Sequence, residues 1–191
     1  EIIQAAVKVF SEKGMVKAKM ADIALEAGIG KGTIYEYFRS KEEVFTSGFQ
    51  MFFEGMQDTI ETALKSTNDP IEQLKLLINL SLTSFLQHGS GLAMIMMDFW
   101  AEGIRNKDEK ILNAIDLRQK YHEFRIIIQS IIKNGIKQGI FRKVDTHHTA
   151  SLLIGALDGI MLQWIMDHKV IDLDKVADSV IDNFLNGLYK K

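Results

Sequence analysis

The sequence predicts an all-α protein, and three observations carry that prediction. A single Pro stands among 191 residues, so almost nothing interrupts helical hydrogen bonding. Apolar residues recur at spacings of three and four, the period of one helix face. Strand-like alternation of apolar and polar residues is absent. About nine helices account for the pattern.

Ala5, Ala6, Val7 and Phe10 outline the first helix, stopped by Gly14, a residue suited to the left-handed position that follows a helix. A second runs from about Met20 to Ala27, with Met20, Ile23, Ala24 and Ala27 on one stripe. Gly28-Ile29-Gly30 then breaks the chain, since both glycines tolerate positive φ, and a short third helix spans Lys31 to about Phe38. Ser40 caps a long fourth helix, with Glu43 completing a capping box and Phe45, Phe49, Phe52, Met56 and Ile60 along one face. Asp69-Pro70 opens a fifth, ended by Gly89 and Gly91 after His88. Met94 to Ile104 forms a sixth, and Lys110 to Lys137 a seventh, ended by Gly135 and Gly139. Asp145 or Thr146 caps an eighth to about His168, and Asp172 opens a ninth carrying Val176, Val180, Phe184 and Leu188.

Composition bounds the function. The sequence has 47% hydrophobic and 25% charged residues and no Cys, so disulfides, thiolate metal sites and cysteine nucleophiles are excluded and a reducing cytoplasm is permitted. The longest uninterrupted apolar runs fall far short of the ~20 residues of a membrane span, and no signal peptide is visible; a cytoplasmic protein with no membrane partner is expected. The net charge is -2, yet residues 1 to 41 hold seven bases (Lys8, Lys13, Lys17, Lys19, Lys31, Arg39, Lys41) and five acids (Glu1, Glu12, Asp22, Glu26, Glu36). The positive end lies where nucleic acid would want it.

The second and third helices, joined at a glycine-containing turn, form a helix-turn-helix whose second member suits a DNA major groove. A helix of about eight residues is roughly 12 Å long, matching a groove ~12 Å wide. Gly30, Lys31, Gly32 and Thr33 let its first turn come close, and Tyr35 and Tyr37 offer hydroxyls to phosphate. Lys41, in the first turn of the next helix, combines its charge with free backbone N–H groups, a setting that favours phosphate. Ile34 and Phe38 face inward.

Residues 1 to 48 resemble the N-terminal signature of the TetR family of transcriptional repressors. The resemblance rests on Ala5-Ala6, Phe10, Gly14, Asp22-Ile23-Ala24, the run Ala27 to Tyr35, and Tyr37 to Glu43. It implies a three-helix DNA-binding domain over 1 to 48 and, over 49 to 191, a larger helical domain for ligand binding and dimerisation. Where the family usually places Thr at the start of its second helix, this chain has Ala18-Lys19; Lys19 is expected to replace the phosphate contact by charge. The DNA-facing set is therefore Lys19, Lys31, Gly32, Thr33, Tyr35, Tyr37 and Lys41.

The second domain reads as apolar faces brought together. Met97, Trp100 and Ile104 share one face of the sixth helix; Tyr121, Phe124 and Ile128 one of the seventh; Met161 and Trp164 one of the eighth. Such faces suit a small hydrophobic or amphipathic effector, and core filling explains each residue equally well. Asp98, Glu102, Arg105 and Arg125 are candidates for orienting it. Gly155 and Gly159, four apart and flanked by Leu152 and Ala156, with Val180 and Phe184 on the last helix, mark a face for a symmetry mate. A homodimer follows from the mechanism, because two modules reading half-sites share the work of binding double-stranded DNA. His147 and His148 are adjacent and point apart, so they do not chelate one metal; no metal, cofactor or catalytic constellation is expected. The rival reading is a helical small-molecule-binding protein without DNA function.

Overall fold

The computed structural model describes residues 1–83, 97 and 117–190. Among them the chain is all-helical: α1 (Ile2–Lys17), α2 (Met20–Glu26), α3 (Lys31–Tyr37), α4 (Lys41–Lys65), α5 (70–83), α6 (Leu117–Lys137), α7 (Thr146–Met166) and α8 (Leu173–Leu188). No strand is present among the described residues, and one antiparallel bridge joins Phe141 to Tyr189. The helix expected over 94 to 104 lies outside the described residues apart from Met97, which is helical and half-buried.

The described residues form two compact units, each with its own core. The first holds 1–56 with Met97 and Leu117, and the second 57–83 with 118–190. The boundary falls inside α4.

In the first unit the core is built from alanine, β-branched and aromatic side chains. Ala5, Ala6, Val9 and Phe10 of α1 are buried, as are Ile23 and Ala24 of α2, Ile34 of α3, and Val44, Phe45 and Phe49 of α4. Phe10 meets Phe45 edge to face at 5.5 Å between ring centres, and Phe45 stacks near Phe49 at 6.1 Å, separations at which aromatic pairs attract beyond simple area burial. Gly14 takes φ 70, ψ 157 and kinks α1 instead of stopping it: one further turn runs to Lys17. Of the two turn glycines only Gly28 takes positive φ; Gly30 is extended at φ −65, ψ 147.

The helix starts behave as local chemistry dictates. Ser40 Oγ accepts the Glu43 N–H at 3.2 Å, Asp69 accepts from Ile71, Asp145 from His147 and His148, and Asp172 from Lys175. The Glu43 carboxylate reaches the Arg39 N–H, one residue before the Ser40 N–H of an ordinary capping box.

In the second unit Leu74, Leu77, Ile78, Ile128, Ile132, Leu153 and Ala177 are fully buried. Gly139, two residues past the end of α6, takes φ 75. Gly135 has a different role from the helix stop expected of it: it lies within α6, where the Phe141 ring rests against its Cα and fills the space a Cβ would need. The end of α8 comes to the same place, since Arg142 N–H donates to Leu188 O at 2.8 Å and Arg142 Nε to Gly187 O at 2.7 Å. α7 has 21 residues and holds an 18-residue stretch with a mean hydropathy of 1.4, so by length and composition it passes as a membrane span. Runs interrupted by Gly and Asp hid this in the sequence, and core helices of globular proteins pass the same test. Its residues Ala150, Leu153, Ile154, Leu157, Met161 and Trp164 are buried in the second unit.

Candidate nucleic-acid interface and ligand site

The turn between α2 and α3 closes by two backbone bonds. Ile29 N–H donates to Ala24 O at 3.0 Å and Gly28 N–H to Leu25 O at 3.1 Å, the 6→1 and 5→2 pair of a Schellman motif, with Gly28 left-handed at φ 67. α3 emerges with one side anchored and the other free. Ile34 is fully buried, whereas Tyr35 and Tyr37 are 48% and 65% exposed. Lys31 and Gly32 are exposed as well, and Thr33 is half-buried. Gly30 caps α3 without a side-chain bond.

The charges of this unit divide into two sets. Lys8 pairs with Glu26 at 2.7 Å and Lys13 with Asp22 at 2.9 Å, tying α1 to α2. Asp22 also accepts the Lys19 N–H at 3.0 Å, supplying the bond at the start of α2 that the Lys19 side chain cannot. The Lys13 ammonium first, and then the Lys19 N–H, hold the Asp22 carboxyl below the usual carboxylate range; the Glu26 hydrogen bond raises the Lys8 ammonium. Lys17, Lys19, Lys31 and Arg39 are exposed, and among the described residues none has an acidic partner within 4.0 Å. Lys17 and Arg39 do not stand out in the sequence, where they are two ordinary surface bases. Lys41 is half-buried and donates to Met15 O at 2.7 Å, Val16 O at 3.1 Å and Ala18 O at 3.2 Å.

In the second unit α6 and α7 face each other through polar as well as apolar groups. Tyr121 OH donates to Asp158 Oδ2 at 2.9 Å and Arg125 Nε to Ser151 Oγ at 3.0 Å. Burial pushes the Asp158 carboxyl above its ordinary value, and the Tyr121 hydroxyl opposes that shift. Ile128, Met161 and Trp164 are buried, and Tyr121 and Phe124 half-buried; Trp100 and Ile104 lie outside the described residues, as do Asp98, Glu102 and Arg105. Sequence reasoning missed Asp158, although a signal existed: it is the one charged residue between Thr149 and Met166. His168 Nδ1 lies 2.6 Å from Trp164 O, its ring 4.4 Å from the Trp164 ring.

Among the described residues, the face foreseen for a second subunit is open. Leu152 is 69% exposed, Gly155 and Ala156 are exposed, and Gly159, Val180 and Phe184 half-buried. Among the described residues, nothing lies within 4 Å of where a Cβ at Gly155 or Gly159 would stand. Among the described residues no group of three or more His, Cys, Asp or Glu is arranged to hold a metal.

An anchored, cation-flanked short helix at the end of a Schellman-closed turn, carried on an all-helical body, defines a helix-turn-helix DNA-binding regulator. Known proteins point the same way. Residues 2–47 match the model for bacterial regulatory proteins of the tetR family, and residues 49–187 that for the YsiA-like protein C-terminal region. The chain belongs to the tetR family, and it is a ligand-responsive transcriptional repressor. The fatty acid metabolism regulator protein of Bacillus subtilis is 28% identical, over 100% of this chain and 95% of its own length. The fatty acid degradation regulator FadR from Bacillus halodurans superposes with a TM-score of 0.79 at 29% identity, covering 98% of this chain and 97% of that one. The Bacillus subtilis FadR structure, which holds stearoyl-CoA, gives 0.77 at 27% identity and covers 98% of each chain. These relatives are regulators rather than enzymes.

Proposed function

We propose that the protein is a cytoplasmic homodimer that binds a palindromic operator and is released by an amphipathic effector, a long-chain acyl thioester being the class that its fatty-acid-regulating relatives favour. The observation that carries the DNA half is α3, buried through Ile34 and exposed through Lys31, Gly32, Tyr35 and Tyr37. Lys31 and Thr33 face base edges, and Tyr35, Tyr37 and Lys19 fix register on phosphates.

Dimerisation uses Leu152, Gly155, Ala156 and Gly159 with Val180 and Phe184, where the missing Cβ atoms admit a close-packed partner helix. The effector enters the second unit beside Tyr121, Phe124, Met161 and Trp164. There Tyr121 and Asp158 supply the polar contacts. Its binding tilts α4, whose residues belong to both units, and spoils simultaneous docking of two heads. A preference of ~3 kcal/mol for the released shape lowers operator affinity about a hundredfold.

The test is fluorescence anisotropy of labelled operator fragments selected from a random duplex library, read against salt and against stearoyl-CoA. Salt-sensitive binding reversed by the thioester supports the reading. Salt-independent or absent binding would leave a helical ligand-binding protein.

A further inference from the structure

A lysine ammonium has three N–H donors and no acceptor. In Lys41 all three have carbonyl partners: Met15 O at 2.7 Å, Val16 O at 3.1 Å and Ala18 O at 3.2 Å. Met15 and Val16 belong to the turn that follows the Gly14 kink, where the carbonyls of a helix end have no partner within the helix. Ala18 is the cap residue, and its own N–H closes on Gly14 O at 3.1 Å. The end of a helix carries partial negative charge that attracts a cation. Lys41 thus plugs the end of α1 from the first residue of α4.

This arrangement has a consequence for the residues beside it. Lys17 and Lys19 flank Ala18, and Arg39 lies two residues before Lys41. Holding Lys41 on the 15–18 carbonyls ties the Lys17–Lys19 turn to the start of α4. A phosphate on Lys41 would first have to displace carbonyl bonds, whereas Lys17 and Lys19 are exposed without acidic partners among the described residues.

We propose that Lys41 is a positioning residue, which sets the α1–α2 turn against the start of α4, and that Lys17 and Lys19 in that turn bind the DNA phosphates. The proposal rests on the DNA-binding reading given above, but its first half is measurable without DNA.

Two experiments decide it. The first footprints the unaltered protein by brief amine acetylation, read by mass spectrometry, alone and with random-sequence duplex DNA at low salt. Expected is a Lys41 that reacts several-fold more slowly than Lys17 and Lys19 in the free protein. DNA then protects Lys17 and Lys19 and leaves Lys41 unchanged. A Lys41 as reactive as Lys17 in the free protein and protected only by DNA overturns the proposal.

The second compares Lys41→Met with Lys17→Met and Lys19→Met. Lys41→Met is expected to speed amide exchange over residues 18–23 in the free protein and to weaken DNA binding with the salt slope kept. Each of the other two is expected to lower that slope by about 0.9 for every phosphate it ceases to neutralise, about 1.8 when two heads engage. A fall of that size in Lys41→Met, with amide exchange unchanged, assigns the phosphate to Lys41 itself and overturns the proposal. If no variant binds DNA in a salt-dependent way, the DNA reading fails, while the exchange result still judges the seat of Lys41 on the α1 carbonyls.

Discussion

Both units cap their helix starts, and they differ in where the polar bonds that join separate helices lie. In the first, polar side chains gather at helix ends: Ser40 and Glu43 at the start of α4, Asp22 at the start of α2, and Lys41 on the end of α1. In the second, the pairs Tyr121–Asp158 and Arg125–Ser151 lie partway along two facing helices, among apolar neighbours. Bonds at helix ends fix the angle at which one short helix meets the next, as a reading head requires. Bonds between facing helices cost little when both members stay and much when one loses its partner, so they respond to anything that enters between them.

Substitutions can break or sharpen this contrast. The largest effect is expected at the open face of α7: Leu152→Glu places a charge where a second subunit would pack. It should abolish the dimer in analytical ultracentrifugation and lower operator affinity about a hundredfold or more, because the second head no longer binds as a tethered partner. A dimer surviving Leu152→Glu would move the interface elsewhere. Next comes Gly135→Ala, which forces a methyl against the Phe141 ring. Overpacking of this kind costs about 1–3 kcal/mol, and a thermal melt should show it with α-helical content unchanged.

On the head, Tyr35→Phe removes one hydroxyl and keeps the ring. A loss near 1 kcal/mol, spread evenly over all DNA sequences, is expected from one hydrogen bond to phosphate; a loss confined to particular bases would place Tyr35 at a base edge instead.

The smallest effect is expected at Asp158. Burial raises its carboxyl in the folded protein above the unfolded value, so its favourable contribution is complete at acid pH and fades as pH rises through the folded pKa. Asp158→Asn removes that dependence. The variant should gain stability relative to the parent on going from the carboxylate range to neutrality, as urea melts at several pH values would show.

How much of this is legible in the sequence depends on the range over which each residue acts. Ser40, Asp69, Asp145 and Asp172 cap the helices that follow them because a cap is decided within three residues, and the sequence displays all of them. The apolar stripe through Phe45, Phe49 and Ile60 is legible for the same reason: period alone places it. Gly14, Gly30 and Gly135 are legible only as glycines. Whether a glycine turns, extends or yields space to a ring depends on Phe141 or on the packing of α1, which no local pattern encodes. The pairs Lys8–Glu26 and Lys13–Asp22 join separate helices, so counting charges overstates the number of bases available to DNA. Lys41 is recognisable as important, but its carbonyl partners lie more than twenty residues away. Asp158 is visible as a lone acid in an apolar helix, yet charges on polar faces draw the eye first.

The backbone joining residues 187–190 to 140–142 reaches beyond its own bonds. Lys190 N–H meets Ile140 O and Arg142 N–H meets Leu188 O, so this short stretch acts as a clasp that keeps the exits of α6 and α8 buttoned together. Loosening either helix exit should therefore loosen the other, because the same bonds fasten both.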